Sequence, residues 1–192
     1  MRNRRMITLP AVLCLCCAVL LTIPGDNRQG ARSETPGRWQ AAAVPVALEE
    51  TVHAYAGPGT RFEALGSFGG TGEEAMALSA AYDEQSRNWW IQTELTNRNE
   101  KIRFYTEADG MDIHTDDLPE EKLQRDVVVN RTVYAYRGPG YEYAMCGDPV
   151  PSGTEGRIWQ TDGGYAQLEF EDDSGMLRRV WVQENALEAP NG

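Results

Sequence analysis

The feature that most constrains this chain is an internal repeat. Thr51-Val52-His53-Ala54-Tyr55-Ala56-Gly57-Pro58-Gly59 returns as Thr132-Val133-Tyr134-Ala135-Tyr136-Arg137-Gly138-Pro139-Gly140. Trp90-Ile91-Gln92-Thr93-Glu94-Leu95 returns as Tyr165-Ala166-Gln167-Leu168-Glu169-Phe170, and Arg103-Phe104-Tyr105-Thr106 as Arg179-Val180-Trp181-Val182. The blocks keep their order at offsets of 81, 75 and 76 residues, a coincidence that chance does not supply three times in register. The change of six falls between the first and second blocks, so Glu73 to Asn88 holds a loop longer than its counterpart. The chain therefore reads as one structural unit used twice.

Each block reads as a strand. In Tyr165 to Phe170, Ala166, Leu168 and Phe170 share one face while Tyr165, Gln167 and Glu169 share the other, and Ile91, Thr93 and Leu95 take the inner positions of the first copy. A period of two with polar residues on one side describes an antiparallel strand packed on one face. Gly57-Pro58-Gly59 and Gly138-Pro139-Gly140 turn the chain after the first strand, because proline fixes φ and glycine tolerates tight approach. Further turns are marked by Asn97-Arg98-Asn99, Asp109-Gly110, Asp162-Gly163-Gly164 and Asp172-Asp173-Ser174-Gly175. No ten-residue stretch of the body has a helical period. Asp117 to Leu123 is expected to form one helical turn between the repeats, with Asp117 as cap and Pro119 in the first turn. Units of about 60 residues with about five short strands bury little core and leave many edges, a problem that closure into a small barrel solves.

These motifs are similar to the bacterial SH3-like (SH3b) domain family. The resemblance is carried by a strand, then x-Gly-Pro-Gly with an aromatic shortly after (Phe62; Tyr141 and Tyr143), then Gly-Thr before a strand (Gly70-Thr71; Gly153-Thr154), an aromatic-led strand and a final aromatic-Val strand. The second copy matches better, through Gly163 to Phe170, Arg179 to Val182 and Ala186-Leu187, and the two copies cover most of residues 51–188. The resemblance implies an all-β chain of two tandem small SH3-like β-barrels outside the cytoplasm. It also implies attachment to surface proteins or cell-wall hydrolases, and binding of peptidoglycan or its peptide stems.

The N-terminus agrees with export. Met1 to Met6 is basic, and Ile7 to Ile23 is seventeen residues without charge, ahead of Pro24-Gly25-Asp26. This is a secretory signal or, at the lower length limit for spanning about 30 Å of hydrocarbon, an uncleaved anchor. Either way the positive-inside tendency leaves the remainder outside. The expected organisation is leader 1–25, tether 26–50, first barrel 51–115, linker 116–130 and second barrel 131–188. The first 25 residues hold three arginines and no acid, so the rest carries 15 basic and 29 acidic side chains, a net −14. Such a body repels nucleic acid and anionic lipid, leaving the membrane to the N-terminal segment alone. Cys14, Cys16 and Cys17 lie in the leader, so Cys146 is left without an intramolecular partner and is read as a buried thiol.

Chemistry is sparse. His53 and His114 have no nucleophile beside them, no Cys/His cluster supports zinc, and the acidic run Glu169, Glu171, Asp172, Asp173 lacks the spacing of a calcium loop. The chain is read as non-enzymatic, with no cofactor and no metal. Alternation puts Tyr55, Trp90 and Tyr105 of the first copy, and Tyr134, Tyr136, Tyr165 and Trp181 of the second, on the strand faces turned away from the core. They are candidates for stacking on a peptide or sugar of the cell wall. One alternative is a structural or protein-interaction module of the cell surface, in which these aromatics meet another surface protein or each other; a further one is a carboxylate-based hydrolase, which would require a deep pocket with converging carboxylates. A solvent-inaccessible Trp90 and Trp181 would favour the former.

Overall fold

The structure, a computed structural model, describes residues 43–97 and 99–190; the leader and residues 26–42 of the tether lie outside the described residues. Among these the chain is all-β, with two antiparallel sheets, short 3-10 turns and no α-helix. The first lobe holds β1 (Val44–Leu48), β2 (Thr51–Tyr55), β3 (Ala64–Gly69), β4 (Glu73–Asp83), β5 (Asn88–Asn97) and β6 (Glu100–Glu107), in spatial order β1-β4-β5-β6-β2-β3. The second holds β7 (Arg125–Val129), β8 (Val133–Tyr136), β9 (Met145–Val150), β10 (Glu155–Asp162), β11 (Tyr165–Glu171), β12 (Leu177–Gln183) and β13 (Leu187–Glu188), in order β13-β7-β10-β11-β12-β8-β9. Apart from β13, the two orders are the same strand for strand. Even the irregularity repeats: the β4/β5 register slips between Ala77 and Ser79, and the β10/β11 register between Ile158 and Gln160, at equivalent positions.

The length difference between the copies is a hairpin. β10 and β11 end at the pair Asp162/Tyr165, joined by Gly163 (φ 56°) and Gly164 (φ 84°), the double positive φ of a tight two-residue turn. β4 and β5 continue through Tyr82/Trp89 to Asp83/Asn88 before turning over residues 84–87. The extra residues thus lengthen the strands as well as the turn.

Three expectations about the connections are corrected. Residues 44–48 are not tether but β1, whose Val44, Val46 and Leu48 turn inward against β4. Residues 125–129 are not linker but β7, with Val127 and Val129 buried against β10. Both strands are five residues long, too short for alternation to stand out until a neighbour supplies the hydrogen bonds. The helical turn placed at 117–123 sits earlier, as a 3-10 turn over Thr115–Asp117, and the chain then runs extended beside β4. There the Ala80 amide donates to the Pro119 carbonyl and the Glu121 amide to the Ala80 carbonyl, which a helix would forbid.

Neither sheet is closed into a barrel by hydrogen bonding. In the first lobe the edges meet only at one end, where the amides of Gly70 and Gly72 donate to the Leu48 carbonyl at 3.1 and 3.2 Å. The second lobe repeats this with Gly153 donating to the Val129 carbonyl at 2.7 Å. Its free β7 edge is taken by β13, so full closure is not needed to protect it.

The core follows the alternation. Ala166, Leu168 and Phe170 pack with Val127, Ile158 and Val182 in the second lobe, beside the buried Cys146 thiol, which burial pushes up to about 11. In the first lobe Leu95 packs with Leu48, Val52 and Phe104, while Ile91 packs with Ala77, Ala80 and Leu118. Leu168→Ala is expected to lower unfolding free energy by about 2–5 kcal/mol, the usual range for a truncated core leucine, as read by denaturant titration.

Candidate functional site

The face of β11 that looked solvent-directed is buried too: Gln167 is 2% exposed and Glu169 3%. It is covered because the two sheets pack these faces against each other, through contacts that repeat about a pseudo-two-fold axis. Phe62, which follows the first Gly-Pro-Gly, bridges Leu177 of the second lobe, and Tyr143, which follows the second, bridges Lys101 of the first. Glu63 donates its amide to the Leu177 carbonyl at 3.2 Å, and Ala144 its amide to the Lys101 carbonyl at 2.8 Å. An interface in which each half offers the same patch is the isologous arrangement of a two-fold dimer, here within one chain.

The Gly-Pro-Gly turns are shaped by this seam. A Cβ on Gly57 would stand 2.5 Å from the Phe62 ring, and one on Gly138 would overlap the Tyr143 ring. The glycines let each turn fold its aromatic flat beneath itself and present it across the seam.

At the centre lie two arginines. Arg103 sits 5.3 Å from the Tyr143 ring and 5.2 Å from the Trp181 ring; Arg179 sits 5.4 Å from Phe62 and 5.5 Å from Tyr105. Each donates to the carboxylate of its own sheet, Arg103 to Glu94 at 2.8 Å and Arg179 to Glu169 at 2.6 Å. The linker then breaks the symmetry. Glu121 enters one side only, accepting from Arg179 at 2.8 Å, from Gln160 and Tyr105 at 2.7 Å each, and from Ser79 at 2.7 Å. On the other side Arg103 reaches Asp162 at 3.5 Å and the Tyr143 hydroxyl donates to Glu94 at 2.6 Å. Burial works against ionising Glu94, yet Arg103 and the Tyr143 hydroxyl outweigh it and hold the carboxyl below its ordinary range. Tyr105 is pushed well up, by burial and by Glu121 beside it.

Of the aromatics singled out in the sequence, Trp90, Tyr105 and Trp181 are thus buried, at 0, 1 and 2% exposure, and offer no surface to a ligand. Tyr55 is half-buried, edge-on to Trp90 at 5.5 Å. The second lobe keeps a tyrosine face. Tyr136, Tyr141 and Tyr165 stand mutually edge-to-face at 5.5, 6.2 and 6.0 Å, with Tyr134 two residues before Tyr136 on the same side of β8. Tyr134 is 61% and Tyr141 70% exposed, whereas Tyr165 forms the floor at 8%. The Gln183 amide fixes Tyr141 by donating to its hydroxyl at 2.7 Å. The Tyr165 hydroxyl is buried without a hydrogen-bond partner among the described residues, and burial together with the adjoining Tyr141 hydroxyl pushes it up to about 12. Tyr141 was not among the candidates chosen by alternation, because it lies in the turn after Gly-Pro-Gly and belongs to no strand. Its position in that repeated motif was the available signal.

Elsewhere, a cleft of about 320 Å³ lies between β9 and the 171–174 turn, lined by Asp148, Pro149, Glu171, Asp173 and Arg178 among others. The neighbouring Asp172 closes its own turn, accepting from the Ser174 amide and hydroxyl and from the Met176 amide, and the Ser174 bond leads in holding its carboxyl low. His53 is exposed on β2, within 3.1 Å of the Ser67 hydroxyl, and His114 is exposed before the 3-10 turn. No protein-family model matches the chain, and no curated protein matches it as a relative.

Arg179→Met leaves Glu121 and Glu169 buried without their shared cation, and is expected to cost about 3–5 kcal/mol in denaturant titration near neutral pH. Tyr165 and Cys146 both have folded pKa values above their ordinary ones. Their contribution is full below about pH 9, where both states are protonated, and is lost as the pH rises toward about 12. Tyr165→Phe should flatten the upper part of that alkaline decline in a pH series of melting temperatures.

Proposed function

We propose that this chain is an exported, non-enzymatic binding protein made of two SH3-like β-units, directed outside the cytoplasm by its N-terminal segment and there either secreted or anchored, whose target is cell-envelope polymer. The observation that carries this reading is the tyrosine face of Tyr134, Tyr136, Tyr141 and Tyr165. Exposed aromatics held rigidly edge-to-face, with an unpaired hydroxyl at their floor, suit stacking on a sugar or peptide with one directed hydrogen bond. The same order of strands in both lobes supports the SH3-like reading, as does the use of both Gly-Pro-Gly turns at equivalent places. Against catalysis stands the state of the buried acids: Glu94, Glu121, Asp162 and Glu169 all face arginine, and Glu94 is held ionised rather than raised toward the range of a general acid. A surface-protein partner is the second reading, favoured by the burial of Trp90 and Trp181, which spends the largest aromatics on structure and leaves a modest face outside.

Retention on purified peptidoglycan at low salt tests the first reading. The intact protein is expected to be retained, and Tyr141→Ala to abolish retention with an unchanged melting temperature, since Tyr141 is 70% exposed. Failure of the intact protein to bind, or full retention of the variant, would overturn it.

A further inference from the structure

The pseudo-two-fold relation allows the tyrosine face to be compared with its own counterpart. Tyr136 and Tyr165 of the second lobe correspond to Tyr55 and Trp90 of the first, pairs that are edge-to-face at 6.2 and 5.5 Å. In the first lobe this place is filled. The long β4–β5 hairpin brings Ser86 to the Trp90 indole, whose nitrogen donates to the Ser86 hydroxyl at 3.5 Å, and Trp90 is wholly buried. The turn is self-braced: Asp83 accepts from the Ser86 amide at 3.0 Å and hydroxyl at 2.7 Å. It is also tied to the Gly-Pro-Gly turn by Arg61, which pairs with Asp83 at 3.0 Å and donates to Gln85 at 3.1 Å. The first lobe therefore carries an acidic peptide turn seated on its aromatic pair and held by a cation.

The second lobe has lost the occupant and inverted the clamp. Its hairpin stops at Gly163-Gly164, six residues shorter, and leaves the Tyr165 hydroxyl buried and unpartnered at the floor. Where the first lobe has Thr60-Arg61, it has Tyr141-Glu142. Glu142 is exposed, and among the described residues no ion pair reaches it. An arginine there grips an acidic turn in one lobe; a glutamate at the same place calls for a basic one in the other, in a body whose net charge is already strongly negative.

We propose that the second lobe's tyrosine face is the open copy of a site that the first lobe fills with its own hairpin, and that its occupant is a peptide segment bearing a cationic side chain paired with Glu142. This rests on the reading of the tyrosine face as the binding surface and narrows it from polymer in general to amine-bearing peptide. The peptide supplies a hydroxyl or carbonyl to the Tyr165 floor, as Ser86 does for Trp90, and its ammonium group lies over Tyr141 beside Glu142.

The test uses the full exported chain and three probes in NMR titration: a capped glycine pentapeptide with a central lysine, the same peptide with the lysine acetylated, and chitotetraose. The lysine peptide is expected to bind with shifts confined to residues around 134–143, 163–165 and 183. Acetylation or Glu142→Lys should weaken it by up to about fivefold, the upper range for one exposed ion pair, and Tyr141→Ala should abolish it. Equal binding of the two peptides overturns the proposal. Tyr141-dependent binding of chitotetraose without the lysine peptide overturns it while leaving the binding surface in place. If no probe binds and Tyr141→Ala leaves retention on peptidoglycan intact, the surface assignment falls as well.

Discussion

Two arginines, each set against aromatic rings of the opposite lobe and against carboxylates, hold this protein's halves in a single relation. Arg179 is 4% exposed, and its positive charge is matched by Glu169 from its own sheet and Glu121 from the linker. Taking three charged groups out of water costs several kcal/mol apiece, and their attraction offsets that cost only when every donor and acceptor is aimed. The aiming here is done by neutral partners: Gln160, Ser79 and Tyr105 all donate to Glu121. A network of this kind adds less to stability than an apolar seam of the same area, but it tolerates no slippage. Sliding one sheet by a single residue would strand several charges at once. The seam thus fixes geometry, and the Gly-Pro-Gly turns, the linker's extended path beside β4 and the placement of Phe62 and Tyr143 all follow from it.

The repeat, the all-β class and the core faces of the strands were legible in the sequence, because they depend on local alternation and on turn residues. The outward faces were not. Gln92, Glu94, Gln167 and Glu169 alternate with apolar residues as a solvated strand face would, and nothing in one strand's pattern distinguishes water from a second copy carrying the complementary arginine. The distinguishing information was distributed: Arg103 and Arg179 stand at equivalent places in matched blocks, each pairing with the glutamate of the preceding matched block. Strands β1 and β7 were missed for a related reason, since their inward residues become meaningful only against the longer strands β4 and β10.

Fusing two copies about a pseudo-two-fold axis frees them to differ wherever the seam does not bind them. The seam's central ion pairs remain matched in kind, Arg103 with Glu94 against Arg179 with Glu169. Outside it, Trp90 stands against Tyr165, Arg61 against Glu142, and a long hairpin against a two-glycine turn. These differences are concentrated at one surface, the end where each Gly-Pro-Gly turn meets its β-hairpin, and they act together: a longer hairpin needs a cation to hold its acidic turn, and an aromatic beneath it gains from being covered. Without the hairpin, the exposed Tyr141 ring stands edge-on to Tyr165 instead.

The charge balance bears on what such a surface can attract. Eight of the described cationic side chains are paired with carboxylates, and Arg103 and Arg179 are also sealed in the seam. Among the described residues, what faces solvent unpaired is predominantly carboxylate, so the net field of the body is anionic. Such a field gives no electrostatic help to binding a carboxylate-bearing wall polymer, so any such binding would have to come from the aromatics. For the amine-bearing peptide proposed above, charge and stacking would act in the same direction.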